Sequence, residues 1–190
     1  MTVFDIPRMF VSSHGGWDEL ERVHPSVIKL FLLLVLPFSL VPPAMIEYAG
    51  LHYGSRFFPG AEAGSWAVSA AVFFVAELVT VPLMAWAIKS NGETRKVRIP
   101  YHDAFTIAAV AAIPLWVSAL GLFVPNLAFV VTLAMLGLIG AISLVYHGIE
   151  AVLHMHEELE VASLTFTTLA IGILAWAGLL VLIFMPLLLL

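Results

Sequence analysis

The sequence predicts an all-α integral membrane protein: a bundle of five transmembrane helices, with short interfacial helices at the N-terminus. Three observations carry this prediction. Of 190 residues, 62% are hydrophobic and only 11% charged, whereas a soluble domain has roughly 45–50% apolar and about 25% charged residues. Mean hydropathy is +1.04. The apolar residues are gathered into five runs, each long enough to cross about 30 Å of hydrocarbon as a helix. Between the runs lie short breaks rich in polar residues, Gly and Pro.

Several function classes fall away at once. The chain has no cysteine, so disulfides, thiolate metal sites and cysteine nucleophiles are excluded. A net charge of −5 gives no basis for a nucleic-acid partner. Ser12, Ser13, His14 and Asp18 form no nucleophile elbow, and neither Gly15-Gly16 nor Gly50/Gly54 makes a phosphate loop. No catalytic residues are assigned, and the chain is expected not to be an enzyme.

Taken in order, residues 1–25 form a cytoplasmic, interfacial segment, and residues 26–190 the membrane domain. Residues 1–24 carry no cleavable signal pattern. Residues 3–11 and 17–23 each suit a short amphipathic helix lying on the membrane. Span one, about residues 26–48, starts at Pro25-Ser26, and Pro37, Pro42 and Pro43 must kink or unwind its second half. A loop with His52, Arg56 and interfacial aromatics leads to span two, about 65–88, which Pro82 bends. The most polar break follows, from Lys89 to Tyr101, with Asn91-Gly92 as a turn. Asp103 is placed to N-cap span three, about 104–123, which holds Pro114. The connector Val124-Pro125-Asn126 is so short that spans three and four, the latter about 126–153, must form an antiparallel hairpin. An acidic link, Glu157 to Glu160, precedes span five, about 163–189.

Orientation follows from Lys and Arg in the short loops. Arg8, Arg22 and Lys29 lie on the N-terminal side, and Lys89, Arg95, Lys96 and Arg98 fall on that same side. The opposite loops hold only Arg56. The N-terminus is therefore expected in the cytoplasm and the C-terminus outside. Small residues three or four apart, such as Gly137/Ala141 and Gly172/Ala175, would let the helices of a packed bundle approach closely.

Two places hold chemistry. Glu77 lies near the middle of span two, with no Lys, Arg or His at comparable depth in any span. Desolvation favours its neutral acid. It is the candidate proton or cation site, against the plainer alternative of a protonated Glu hydrogen-bonded between helices or lodged in a wet crevice beside Pro82. The second place is the end of span four. His147, Glu150 and His154 share one helix face, and His156 and Glu157 follow. Imidazole and carboxylate at this spacing can hold Zn²⁺ or Cu²⁺, and the histidines could instead sense pH. The alternative is a helix that simply becomes polar as it leaves the membrane.

From Tyr101 onward the chain resembles the Yip1-domain family of small membrane proteins. The matching features are the five-span layout and the short-linked hairpin, with Pro114, Trp116, Gly121 and Pro125 in place. Tyr146-x-Gly148-Ile149 in span four and Thr167-Thr168-Leu169-Ala170-Ile171-Gly172 in span five match as well. His24-Pro25-Ser26-Val27 looks like bacterial members, and so the resemblance implies a bacterial inner-membrane protein. Eukaryotic relatives are trafficking factors that engage prenylated Rab GTPases. None of the matching positions is a catalytic signature. Glu150 stands where relatives often have an apolar residue or proline, so the His/Glu cluster is expected to be this chain's own.

The first functional expectation is a non-enzymatic membrane protein that organises the bilayer or partner proteins through helix packing, as a homo-oligomer or with other membrane proteins. The second is a small transporter or channel for protons or divalent metal, with Glu77 in the bilayer and His147, Glu150 and His154 at its mouth.

Overall fold

The computed structural model describes residues 16, 17, 20, 22, 25–153 and 158–189. All regular structure among them is helical, and five stretches are long and apolar enough to cross a membrane.

Span one, Val27–Arg56, is built in pieces. Helix α1 (Val27–Leu30) starts at Ser26, whose hydroxyl accepts from Lys29 N at 3.4 Å. A π-helical turn, Phe31–Val35, links it to α2 (Leu36–Phe38). The chain turns at Ser39-Leu40, and α3 (Val41–Tyr53) restarts with Pro42 and Pro43 in its first turn. There the missing N–H groups would have had no helical partner. The expected proline break is thus present, and it lies before the proline pair.

Helix α4 (Ala63–Thr94) runs through Pro82 without interruption and continues past Asn91-Gly92. The expectation of a turn there fails for a tertiary reason. Asn91 is buried and its Nδ2 donates to Leu164 O at 3.3 Å. A Cβ on Gly92 would lie 2.3 Å from the Ile99 side chain, so the glycine serves close packing within a helix. The real reversal is at Lys96, whose φ is 63°. Helix α5 (Tyr101–Ser118) then begins after Pro100. Asp103 is therefore not the N-cap; it sits in the first turn, where a carboxylate suits the helix dipole, 3.0 Å from His102 Nε2.

Ala119–Phe123 closes α5 as a 3₁₀ turn, and α6 (Leu127–Val152) follows under an Asn126 cap to Phe129 N at 3.1 Å. The expected hairpin is present. Helix α7 (Glu158–Leu189) starts earlier than expected, taking Glu158 and Glu160 into its first turn, again the favourable end of the dipole.

Helix α5 is the centre: Ala104, Phe105, Ile107 and Ala109 are all essentially fully buried. α4 packs along both α5 and α7, α6 packs along α5, and α3 lies against α4. The α6–α7 contact is much sparser. Before span one, Trp17 is helical and wholly buried in the main core. A Cβ on Gly148 would lie 2.7 Å from its ring. The segment expected to lie on the membrane therefore inserts at least this side chain into the bundle.

A candidate intramembrane cleft

Helices α4 to α7, with Pro42 and Ile46 of α3, enclose a half-open cleft of about 240 Å³. Its walls are overwhelmingly apolar or small, with Ala108, Ala111, Ala134, Leu138, Gly172 and Ile173 among them. The cleft exists because α6 and α7 lean on α5 and α4 and touch each other little. Gly172 contributes to the space: the nearest atom to an added Cβ there is Met84 Cε at 3.5 Å.

Glu77 lines this cleft from α4 and is only 6% exposed. The Trp116 indole of α5 lies beside it, while Glu77 Oε2 is buried with no hydrogen-bond partner. Trp116 is fixed from its other side by Phe38, at a ring separation of 6.3 Å. Toward the Arg95 end of the cleft, Thr168 of α7 is 1% exposed, and its Oγ1 also has no partner. A helical threonine ordinarily satisfies its hydroxyl on a carbonyl in the preceding turn. Thr80, Thr106, Thr132 and Thr167 do this at 2.7–3.0 Å. Thr168 does not.

The His/Glu face is elsewhere. His147 and Glu150 fall near each other on α6, with Nδ1 to Oε2 at 3.9 Å, and neither lines the cleft. His154, His156 and Glu157 lie outside the described residues. Among the described residues no group of three or more His, Asp or Glu is placed to hold a metal ion.

A polar clamp that no sequence motif signals joins α4 to α7. Arg95, at the C-terminal end of α4, donates to Asn91 O at 3.1 Å and to the Asn91 side-chain oxygen. It also reaches Ser163 Oγ at 3.2 Å and Thr167 Oγ1 at 2.8 Å on α7. With Asn91 Nδ2 on Leu164 O, it pins α7 to α4 at one end. Near the other end, Ser69 Oγ donates to Ile183 O at 3.0 Å. In the sequence Arg95 counts only as an orientation charge, and its spacing to α7 gives no local signal. Tyr53 likewise ties span one to the α5–α6 hairpin through its hydroxyl on Leu122 O.

The matching positions now have physical roles. Gly148 makes room for Trp17, Thr167 receives Arg95, and Thr168 faces the cleft. The Yip1 domain family matches over residues 8–187. This chain belongs to the Yip1 domain family. No curated protein and no solved structure matches it. With five apolar helices, this Yip1-domain chain is a multi-pass membrane protein in contact with the lipid bilayer.

Proposed function

We propose that this Yip1-domain protein is a non-enzymatic organiser of the membrane, associating with other membrane helices, a second copy of itself included. The observation that carries the reading is α7. Its span, Val161–Leu188, has only 6% of its most apolar window buried within the chain, against 50% for Tyr101–Phe123. Helix association in lipid depends on close packing of small-residue surfaces, and Ala170, Ala177 and Gly178 are exposed on α7. The proposed setting is a bacterial inner membrane with the N-terminus cytoplasmic, supported by the excess of Lys and Arg on that side.

The transport reading keeps one point in its favour, the buried Glu77. Against it, the cleft walls offer no polar route from Glu77 to His147 or Glu150. A proteoliposome flux assay with H⁺, Zn²⁺ and Cu²⁺ separates the two. The packing reading expects flux no greater than in empty liposomes, together with FRET between labelled copies that rises with protein density. Ion flux that Glu77→Gln abolishes would overturn it in favour of transport.

A further inference from the structure

The break in span one lies at the depth of Glu77. The register of α3 on α4 is fixed near the far end of α3, where a Cβ on Gly50 would lie 2.3 Å from Trp66 Cγ. Ile46 shares a core cluster with Ala70 and Phe73, so the two helices run antiparallel. Ser39 is as many residues before Gly50 as Glu77 is after Trp66, which brings Ser39 level with Glu77. Trp116 ties the two places together: it stacks on Phe38 at 6.3 Å and lies beside Glu77. Pro42 and Glu77 line the same cleft.

This level is rich in acceptors and poor in donors. Pro42 and Pro43 have no N–H, so Phe38 O and Ser39 O lose the donors a continuous helix would bring them. Carbonyls point toward the C-terminal end of their helix, whereas side chains lean toward the N-terminal end of theirs. On antiparallel helices the two directions coincide, so these carbonyls and the Glu77 carboxyl lead to one depth. Glu77 is 6% exposed, and its Oε2 has no partner. The neighbouring hydroxyls are spent: Ser39 Oγ donates to Leu36 O at 3.1 Å, and Thr80 Oγ1 to Ala76 O at 2.7 Å. Trp116 and Trp176 both line the cleft. An indole only donates, and neither indole relieves Oε2.

Oxygens with no donor to meet them suit a cation, and charge selects which one. Zn²⁺ and Cu²⁺ favour nitrogen or sulfur ligands, and no His lines the cleft. Ca²⁺ takes about six to eight oxygens, and its second charge would stay unbalanced, because Glu77 is the one acidic residue of the lining. A monovalent ion is matched by a single carboxylate, as a buried charge requires. Unwound carbonyls of discontinuous membrane helices are ligands that Na⁺ accepts.

We propose that Na⁺ binds between the broken span one and α4, held by Glu77 Oε2 and the carbonyls of Phe38 and Ser39, and fastens the break to the bundle. The test follows thermal unfolding of the full chain in neutral-lipid nanodiscs while NaCl replaces choline chloride at constant ionic strength. The unfolding midpoint is expected to rise with Na⁺ and saturate, as for any ligand of the folded state, whereas CaCl₂ at the same ionic strength should leave it unchanged. Glu77→Gln should abolish the Na⁺ response. Pro42→Ala combined with Pro43→Ala gives both N–H donors back to the carbonyls and keeps the carboxyl. It should weaken the apparent Na⁺ affinity by about tenfold or more, the scale on which metal sites lose affinity when their support is removed. This second variant keeps the proposal open to refutation if Glu77→Gln does not fold. Equal midpoints in Na⁺ and choline would overturn the proposal. So would a Ca²⁺ response equal to that of Na⁺, or a Na⁺ affinity that either variant leaves unchanged.

Discussion

The α5–α6 hairpin and α7 are both apolar helical structure rich in small residues, yet those residues sit in opposite surroundings. On the hairpin, the space a Cβ would need at Gly137 is taken by Pro114 O, 2.8 Å away. At Gly148 it is taken by Trp17. On α7, an added Cβ at Gly172 would meet only a methionine methyl at 3.5 Å, and at Gly178 nothing within 4 Å. The same residue type is a packing requirement in one place and open surface in the other. Direct packing holds the hairpin together. α7 packs along α4 and is clamped to it near both ends, leaving a cleft on one side and an outward face on the other.

The largest effect separating the two regions should come from Gly137→Val. Backbone at Pro114 cannot yield as a flexible side chain can, so overpacking should cost about 2–3 kcal/mol. The check is the loss of folded protein on heating in detergent, followed by size-exclusion chromatography. Next in size is Arg95→Ala, which removes the clamp on α7. Arg95 is half-buried, so a loss of about 1–2 kcal/mol is expected. A double-mutant cycle with Thr167→Val should give coupling of about 0.5–1.5 kcal/mol. Smallest is Gly178→Leu: a change in fold stability within about 0.5 kcal/mol, but a clear drop in FRET between copies in liposomes. A Gly178→Leu protein that unfolds like Gly137→Val would erase the contrast.

The comparison also shows what was legible in the sequence. The five spans, the break in span one and the hairpin follow from composition, proline and connector length, all local quantities. Glu77 stood out because a lone carboxyl in an apolar run is visible without a structure. Asn91-Gly92 and Asp103 misled because turn and cap preferences are weak beside packing: Ile99 and Leu164 decide that end of α4. The Arg95 clamp, the Trp17–Gly148 contact and the placing of Trp116 beside Glu77 join residues far apart in the chain. Hydrophobic periodicity carries no information about such pairs. His147 and Glu150 lie near each other on α6, while the remaining members of that cluster fall outside the described residues.

The central claim is that α7 is the helix whose outer face is available for association. The chain contains no cysteine, so a single introduced thiol reports on one position alone. Leu174 on α7 and Leu33 on span one are almost equally exposed, at 74% and 76%, and they differ in the helix that carries them. Oxidative cross-linking of Leu174→Cys and Leu33→Cys proteins in the same proteoliposomes is the direct measurement. The account predicts covalent dimer from Leu174→Cys that grows with protein density, and little from Leu33→Cys. Equal cross-linking at both positions, or more at Leu33→Cys, would contradict it.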